Sequence, residues 1–215
     1  MRRLAILACV VIPPATAVAH HEEFMPPAPF AMFTTSIGGV APAPAVHGYQ
    51  TSSRIAATDD GAVVIDADSG DLLRVDASGA LLAEVAIGKD AGLLAYDDAA
   101  HRAYVADRRG DRIGGVDVGD RLAIATTWRT PAEPYALALS PDRTTLYATM
   151  IADRLLVAYD PTTGRELWRA RTDPEPRGLA IAGDGQRAAI TSLTTTSLGE
   201  IDLTGEHALV RHALP

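Results

Sequence analysis

The chain predicts an all-β fold of about four repeated, four-stranded antiparallel units, and three observations carry that prediction. First, between Pro134 and Arg177 four short apolar runs alternate with turn signals: Leu137 to Leu139, Leu146 to Ala148, Leu155 to Val157 and Leu167-Trp168. Ser140-Pro141-Asp142 and Asp160-Pro161-Thr162-Thr163-Gly164 turn the chain, because Pro fixes φ, Asp bonds its own backbone and Gly allows φ > 0. Second, the punctuation recurs at a nearly fixed period. Asp142 recurs as Asp184, and Asp117 recurs as Asp160 and again as Asp202, while Tyr104 recurs as Tyr147. Shared punctuation at a fixed period marks repeated supersecondary units. Third, no interior run keeps helical spacing over a useful length, so almost no helix is expected. Four strands in about 42 residues is the size of one β-propeller blade.

The N-terminus reads as an address. Arg2 and Arg3 precede an apolar run, Leu4 to Ile12, which is too short to span a bilayer. Pro13 and Pro14 break it, and Ala17-Val18-Ala19 is an A-x-A cleavage signal. The expectation is a signal peptide over 1–19 and export to the periplasm or the extracellular space. Residues 20–50 are rich in proline and alanine, as in Ala41-Pro42-Ala43-Pro44-Ala45, and read as a Pro/Ala-rich tether. All three phenylalanines, Phe24, Phe30 and Phe33, lie in it, which points to some docking onto the folded domain.

The repeats fill 51–215, divided at about 51–89, 90–132, 133–174 and 175–215. In the first, the strand-like runs are Ile55 to Thr58, Ala62 to Asp66, Leu72 to Val75 and Leu81 to Ile87. In the second they are Gly92 to Tyr96, Ala103 to Ala106, Ile113 to Val118 and Leu122 to Trp128. The fourth has Gly178 to Ala182, Ala188 to Thr191, Leu198 to Leu203 and Ala208 to His212. Gly- and Asp-bearing turns separate them. Four blades pose a closure problem, since an open arc leaves uncovered faces at both ends. Either the four blades close tightly, or the chain is one part of a longer propeller, or a protein partner completes it; the sequence ends at Pro215, just after a last strand and without a polar cap, which favours an open or partial propeller.

Composition narrows the function classes. Hydrophobic residues make up 47%, ordinary for a globular core, but aromatics only 5%, so Leu, Ala, Val and Ile must fill it. The formal charge of −8 argues against nucleic acid and anionic membranes as general partners, since both require a basic face. Cys9, in the expected signal peptide, is the only cysteine, so the mature chain can form no disulfide, thiolate metal site or haem attachment.

The second to fourth repeats resemble the YVTN (YncE-like) β-propeller family. That family opens its blade with P-x-x-[LV]-A-x-x-x-D-G, followed by a Y-V-[AT] strand and a V-x-D strand. Pro176-Arg177-Gly178-Leu179-Ala180 with Asp184-Gly185, Ala103-Tyr104-Val105-Ala106 and Val116-Asp117 carry the likeness, while Asp142-Arg143 departs from it. The resemblance implies a propeller and says little of function. A narrower likeness joins Ala158, Asp160, Thr163, Gly164 and Trp168 to the tryptophan-docking motif of quinoprotein (PQQ) enzymes. There the Trp packs on the neighbouring blade, and Asp160 and Gly164 would shape the turn.

With strands a to d running outward from the axis, the b–c and d–a loops share one face. The a–b and c–d turns, which carry the repeated Pro, Asp and Gly, take the other. The unrepeated chemistry therefore sits on the first face, where Arg108, Arg109, Arg112, Arg154 and Arg177 form a candidate site for carboxylates or an acidic partner. Their bland reading is solvated loop charge neutralised by Asp107, Asp111, Asp153 and Asp173. His20 and His21, at the expected mature N-terminus, could ligate a metal but read as a polar tether. Asp66, Asp68 and Asp71 resemble an oxygen-rich cation loop, but their spacing is off by one and a hairpin turn is due there. His101, His207 and His212 are scattered and read as surface or strand residues. No hydrolase, zincin, phosphate-loop or dinucleotide motif is present. The sequence thus favours a non-enzymatic binding or interaction scaffold with no cofactor. The alternatives are an accessory propeller of a periplasmic redox protein, with a cytochrome peroxidase-like module beyond Pro215, and a fragment of a quinoprotein-type enzyme.

Overall fold

The structure, a computed structural model, describes residues 50–214. The expected signal peptide, the tether up to residue 49, the candidate ligands His20 and His21, and Pro215 lie outside the described residues.

Among the described residues there are strands and no helix. The first blade contains β2 (Ile55–Thr58), β3 (Gly61–Asp66), β4 (Asp71–Asp76) and β5 (Leu81–Ala86). The second contains β6 (Ala91–Asp97), β7 (Arg102–Asp107), β8 (Arg112–Val118) and β9 (Leu122–Arg129). The third contains β10 (Pro134–Leu139), β11 (Leu146–Met150), β12 (Leu155–Tyr159) and β13 (Glu166–Arg171). The fourth contains β14 (Pro176–Ile181), β15 (Arg187–Ser192), β16 (Ser197–Asp202) and β17 (Leu209–Ala213). Each is an antiparallel meander in sequence order. Strand a of the third and fourth blades starts earlier than its apolar run, at Pro134 and Pro176. A proline is tolerated as first residue because it removes no ladder bond there, and a bulge follows each.

β1 (Gln50–Thr51) departs from the expected plan. Assigned by sequence to the tether and the first repeat, it pairs instead with Ile181 and Ala180 of β14, so the fourth sheet has five strands. Ser52 N then donates to Leu179 O at 3.1 Å, and Ser53 exchanges bonds with Leu94 of β6. Residues 50–53 thus cross from the inner strand of the fourth blade to that of the second before the chain enters the first.

Three buried clusters hold the blades together, one at each junction between successive blades. The residues pair in a consistent way. Each blade after the first turns a back face rich in large aliphatics toward its predecessor, such as Leu137, Leu139, Leu146 and Val157 of the third blade. The third blade turns a front face rich in small residues toward its successor: Ala136, Ala138 and Ala158, with Tyr147 and Trp168 farther out. Burial reflects this. All residues of β11 and β12 are buried because both faces of the third blade are covered. In β3 only Val63 and Ile65, which face the second blade, are buried. No such cluster joins the fourth blade to the first among the described residues, so the arc is open.

Candidate functional site

The b–c loops and d–a connections do share one face, and backbone bonds stitch them together. Arg108 N donates to Asp90 O, Ile151 N to Glu133 O and Leu193 N to Glu175 O, each at 2.9 Å, which is one bond repeated in three blades. Asp111, Glu133, Arg154 and Glu175 all have φ between 48° and 59°. Non-glycine residues are rare in this left-handed region, and holding them there costs of order 1 kcal/mol each. Each is held by a bond to its carbonyl, since Thr130 N and Thr172 N bond Asp111 O and Arg154 O in the same way that Ile151 and Leu193 bond the two glutamates. The loop face is therefore a preformed surface.

The five arginines divide on it. Arg108 lies between carboxylates of two blades, with Nη2 3.3 Å from Glu133 Oε1 and Nη1 3.6 Å from Asp90 Oδ2. Arg177 donates to Glu175 Oε2 at 2.8 Å, and its guanidinium lies 4.8 Å from the centre of the Tyr135 ring. Each of these two arginines keeps a buried Nε without a partner. Arg112, itself exposed, donates to buried Asp107 at 2.7 Å and to Ile87 O at 3.1 Å, so it ties the loop to the preceding blade. Arg109 and Arg154 are exposed. Asp90, Arg108, Glu133, Tyr135, Arg177 and Glu175 thus form a row of alternating charge with one aromatic ring across three blades. Sequence reading missed Tyr135. The available signal was its position, one repeat period before Arg177 and equivalent to it.

The acidic candidates are occupied locally. Asp66 Oδ1 accepts the N–H of Asp68 at 2.9 Å, and that bond holds its carboxyl below the usual range. Asp71 is its cross-strand partner in the β3–β4 hairpin. Asp68 lies in the hairpin turn that Asp66 and Asp71 flank, and no three His, Cys, Asp or Glu side chains converge to hold a metal among the described residues. Asp76, Asp160 and Asp202 close equivalent c–d turns by accepting the N–H of residue i+2 at 2.8 Å.

Trp168 is half-buried in the junction between the third and fourth blades. It stacks on His207 of the fourth blade, with ring centres 3.8 Å apart and planes 8° apart, and leans on Tyr147 at 5.8 Å. His207, read from sequence as a surface or strand residue, lies in a loop and belongs to the blade contact. Trp128 docks in the same manner one blade earlier, between Tyr104 and Tyr159 at 6.2 and 6.1 Å. It lies over Gly164, whose φ is +69° and where a Cβ would stand 2.5 Å from Trp128 Cγ. Gly164 thus serves its own turn and the preceding blade's tryptophan, a second docking tryptophan that the single-repeat motif did not reveal.

Folded geometry of this kind defines a β-propeller protein, and the solved structures agree. The chain is similar to hydrazine synthase from Kuenenia stuttgartiensis, with a TM-score of 0.59 at 17% identity over 81% of this chain and 53% of that one. It is similar to a putative 6-phosphogluconolactonase from Bacteroides fragilis, with a TM-score of 0.61 at 14% identity over 80% and 56%. It is also similar to a catalytically inactive virginiamycin B lyase from Staphylococcus aureus solved with quinupristin, with a TM-score of 0.63 at 13% identity over 77% and 56%. The chain spans about half the length of these proteins, and identities this low carry the fold alone. No family model matches the chain, and no curated protein matches it.

Proposed function

We propose that this protein is an exported β-propeller of YVTN type that acts as a non-enzymatic binding scaffold, and that it engages a protein partner through its loop face. The observation that carries the reading is the preformed row from Asp90 to Glu175. Left-handed residues fix its backbone, Tyr135 contributes an aromatic ring, and Arg108 and Arg177, each paired to carboxylates of the row, hold its charges in a fixed order for a partner to meet. Arg109 and Arg154 are exposed beside it as rim charges. The opposite face carries repeated Asx turns whose polar groups are consumed locally.

The test is photo-crosslinking in the native host from single positions on each face. A photoreactive residue at Arg109 or Arg154 should trap the same partner band, and one at Thr162 or Thr204 on the turn face should not. Identical bands from both faces, or none from the loop face, would contradict the reading.

A further inference from the structure

We propose that the two end faces of the arc are the two halves of one interface, and that a second copy of this chain closes the ring head to tail, its first blade against this chain's fourth blade and the reverse.

The register identifies what each end exposes. On the first blade, Ile55, Val64 and Leu73 are cross-strand neighbours, as are Ala57, Ala62, Val75 and Leu81. All point away from the second blade, whose contacts are Ala56, Val63, Ile65 and Leu72. Ile55 and Leu81 are each 56% exposed. This is a back face of large aliphatics, the kind that the second, third and fourth blades bury against their predecessors. On the fourth blade, Ala180, Ala189, Glu200 and Val210 are one cross-strand row, and Gly178, Thr191, Leu198 and His212 are the next. These point away from the third blade and form a front face of small residues. It bears an apolar groove of about 260 Å³ lined by Ala180, Ala182, Ala189, Arg187 and Glu200.

The three internal junctions each seat a back face on a front face. At the third, Leu179 and Ile181 of the fourth blade pack on Ala136 and Ala138 of the third. Ala138 and Ala180 are equivalent, one repeat period apart, as are Leu156 and Leu198. The free front face therefore repeats the buried one at Ala180 of β14 and Leu198 of β16, and the free back face has the aliphatics to fill it. The departures from blade three are Gly178 for Ala136, Ala189 for Tyr147, Glu200 for Ala158, Val210 for Trp168 and His212 for Ala170. Glu200 lies 3.9 Å from Arg187 and 3.5 Å from His212, so its charge has partners on its own blade. Each interface is heterologous, and two such contacts close under a two-fold axis. Two arcs of four blades make eight, which is within the range of closed propellers.

Light scattering on the full chain after size exclusion tests this. A particle of twice the chain mass is expected. Ile55→Asp and Leu81→Asp on the back face, and Ala189→Arg on the front face, should each reduce it to one chain mass with an unchanged far-UV spectrum, since all three positions are surface-accessible. An equimolar mixture of Ile55→Asp and Ala189→Arg contains one unaltered junction and should regain the double mass. A single-chain mass for the unaltered protein, a ladder of larger species, or a double mass indifferent to Ala189→Arg would each overturn the proposal. The last outcome would show first blades meeting each other instead.

Discussion

At the scale of single residues, the blade contacts concentrate on two tryptophans. Trp168 lies between Tyr147 of its own blade and His207 of the next, so its removal costs transferred apolar area and leaves a gap at the junction. Trp168→Ala should lower stability by about 2–4 kcal/mol, as large-to-small changes at packed sites do, and a lower urea midpoint read by circular dichroism would register it. Gly164→Ala should cost a similar amount, about 2–4 kcal/mol, because the new methyl needs φ = +69° and meets the Trp128 ring. A midpoint equal to that of the unaltered chain would place Trp128 elsewhere. Trp168 was legible from its motif, because the whole signal lies within one repeat. Trp128 was not, because its partner Gly164 belongs to the next blade and its own turn, Val118-Gly119-Asp120, lacks the motif.

At the scale of elements, the turns divide the labour. The c–d turns of three blades are closed by an aspartate, and in each the carboxyl is held below the usual range. At Asp160 and Asp202 the main cause is the backbone N–H of Thr162 and Thr204, and at Asp76 it is the Ser78 hydroxyl. A carboxyl lowered on folding stabilises above its unfolded value, near pH 3.9, and loses that contribution as pH falls through the folded values. The urea midpoint should therefore be insensitive to these groups from about pH 7 to 5 and decline below about pH 4. A variant with Asn at Asp76, Asp160 and Asp202 keeps the acceptor oxygen without the titration, so its decline should be shallower. Equal declines would assign the acid sensitivity to other carboxyls. Strand positions were legible here because apolar runs and Asx turns are local signals. β1 was not, since Gln50-Thr51 is too short for any period and its partner strand, β14, lies three blades further along the chain.

For the whole molecule, the consequence of an open arc is a gradient of burial. The third blade is covered on both faces, whereas the first and fourth are covered on one. In stacked repeats stability sums over nearest-neighbour interfaces, so the end blades should open at lower free energy than the middle of the arc. The repeat period made the blades legible and the charge row on the loop face partly so. The row's pairing was not legible, because Arg108 with Glu133 and Arg177 with Tyr135 are contacts between blades that only the closed packing brings together. Amide hydrogen exchange, followed by mass spectrometry on the chain diluted to its single-chain state, tests the open arc most directly. Peptides from β10 to β12 should exchange most slowly, and the equivalent peptides from β2 to β4 and β14 to β16 measurably faster. Equal protection in all four blades would contradict an open arc and require that the first and fourth blades pack on each other within one chain.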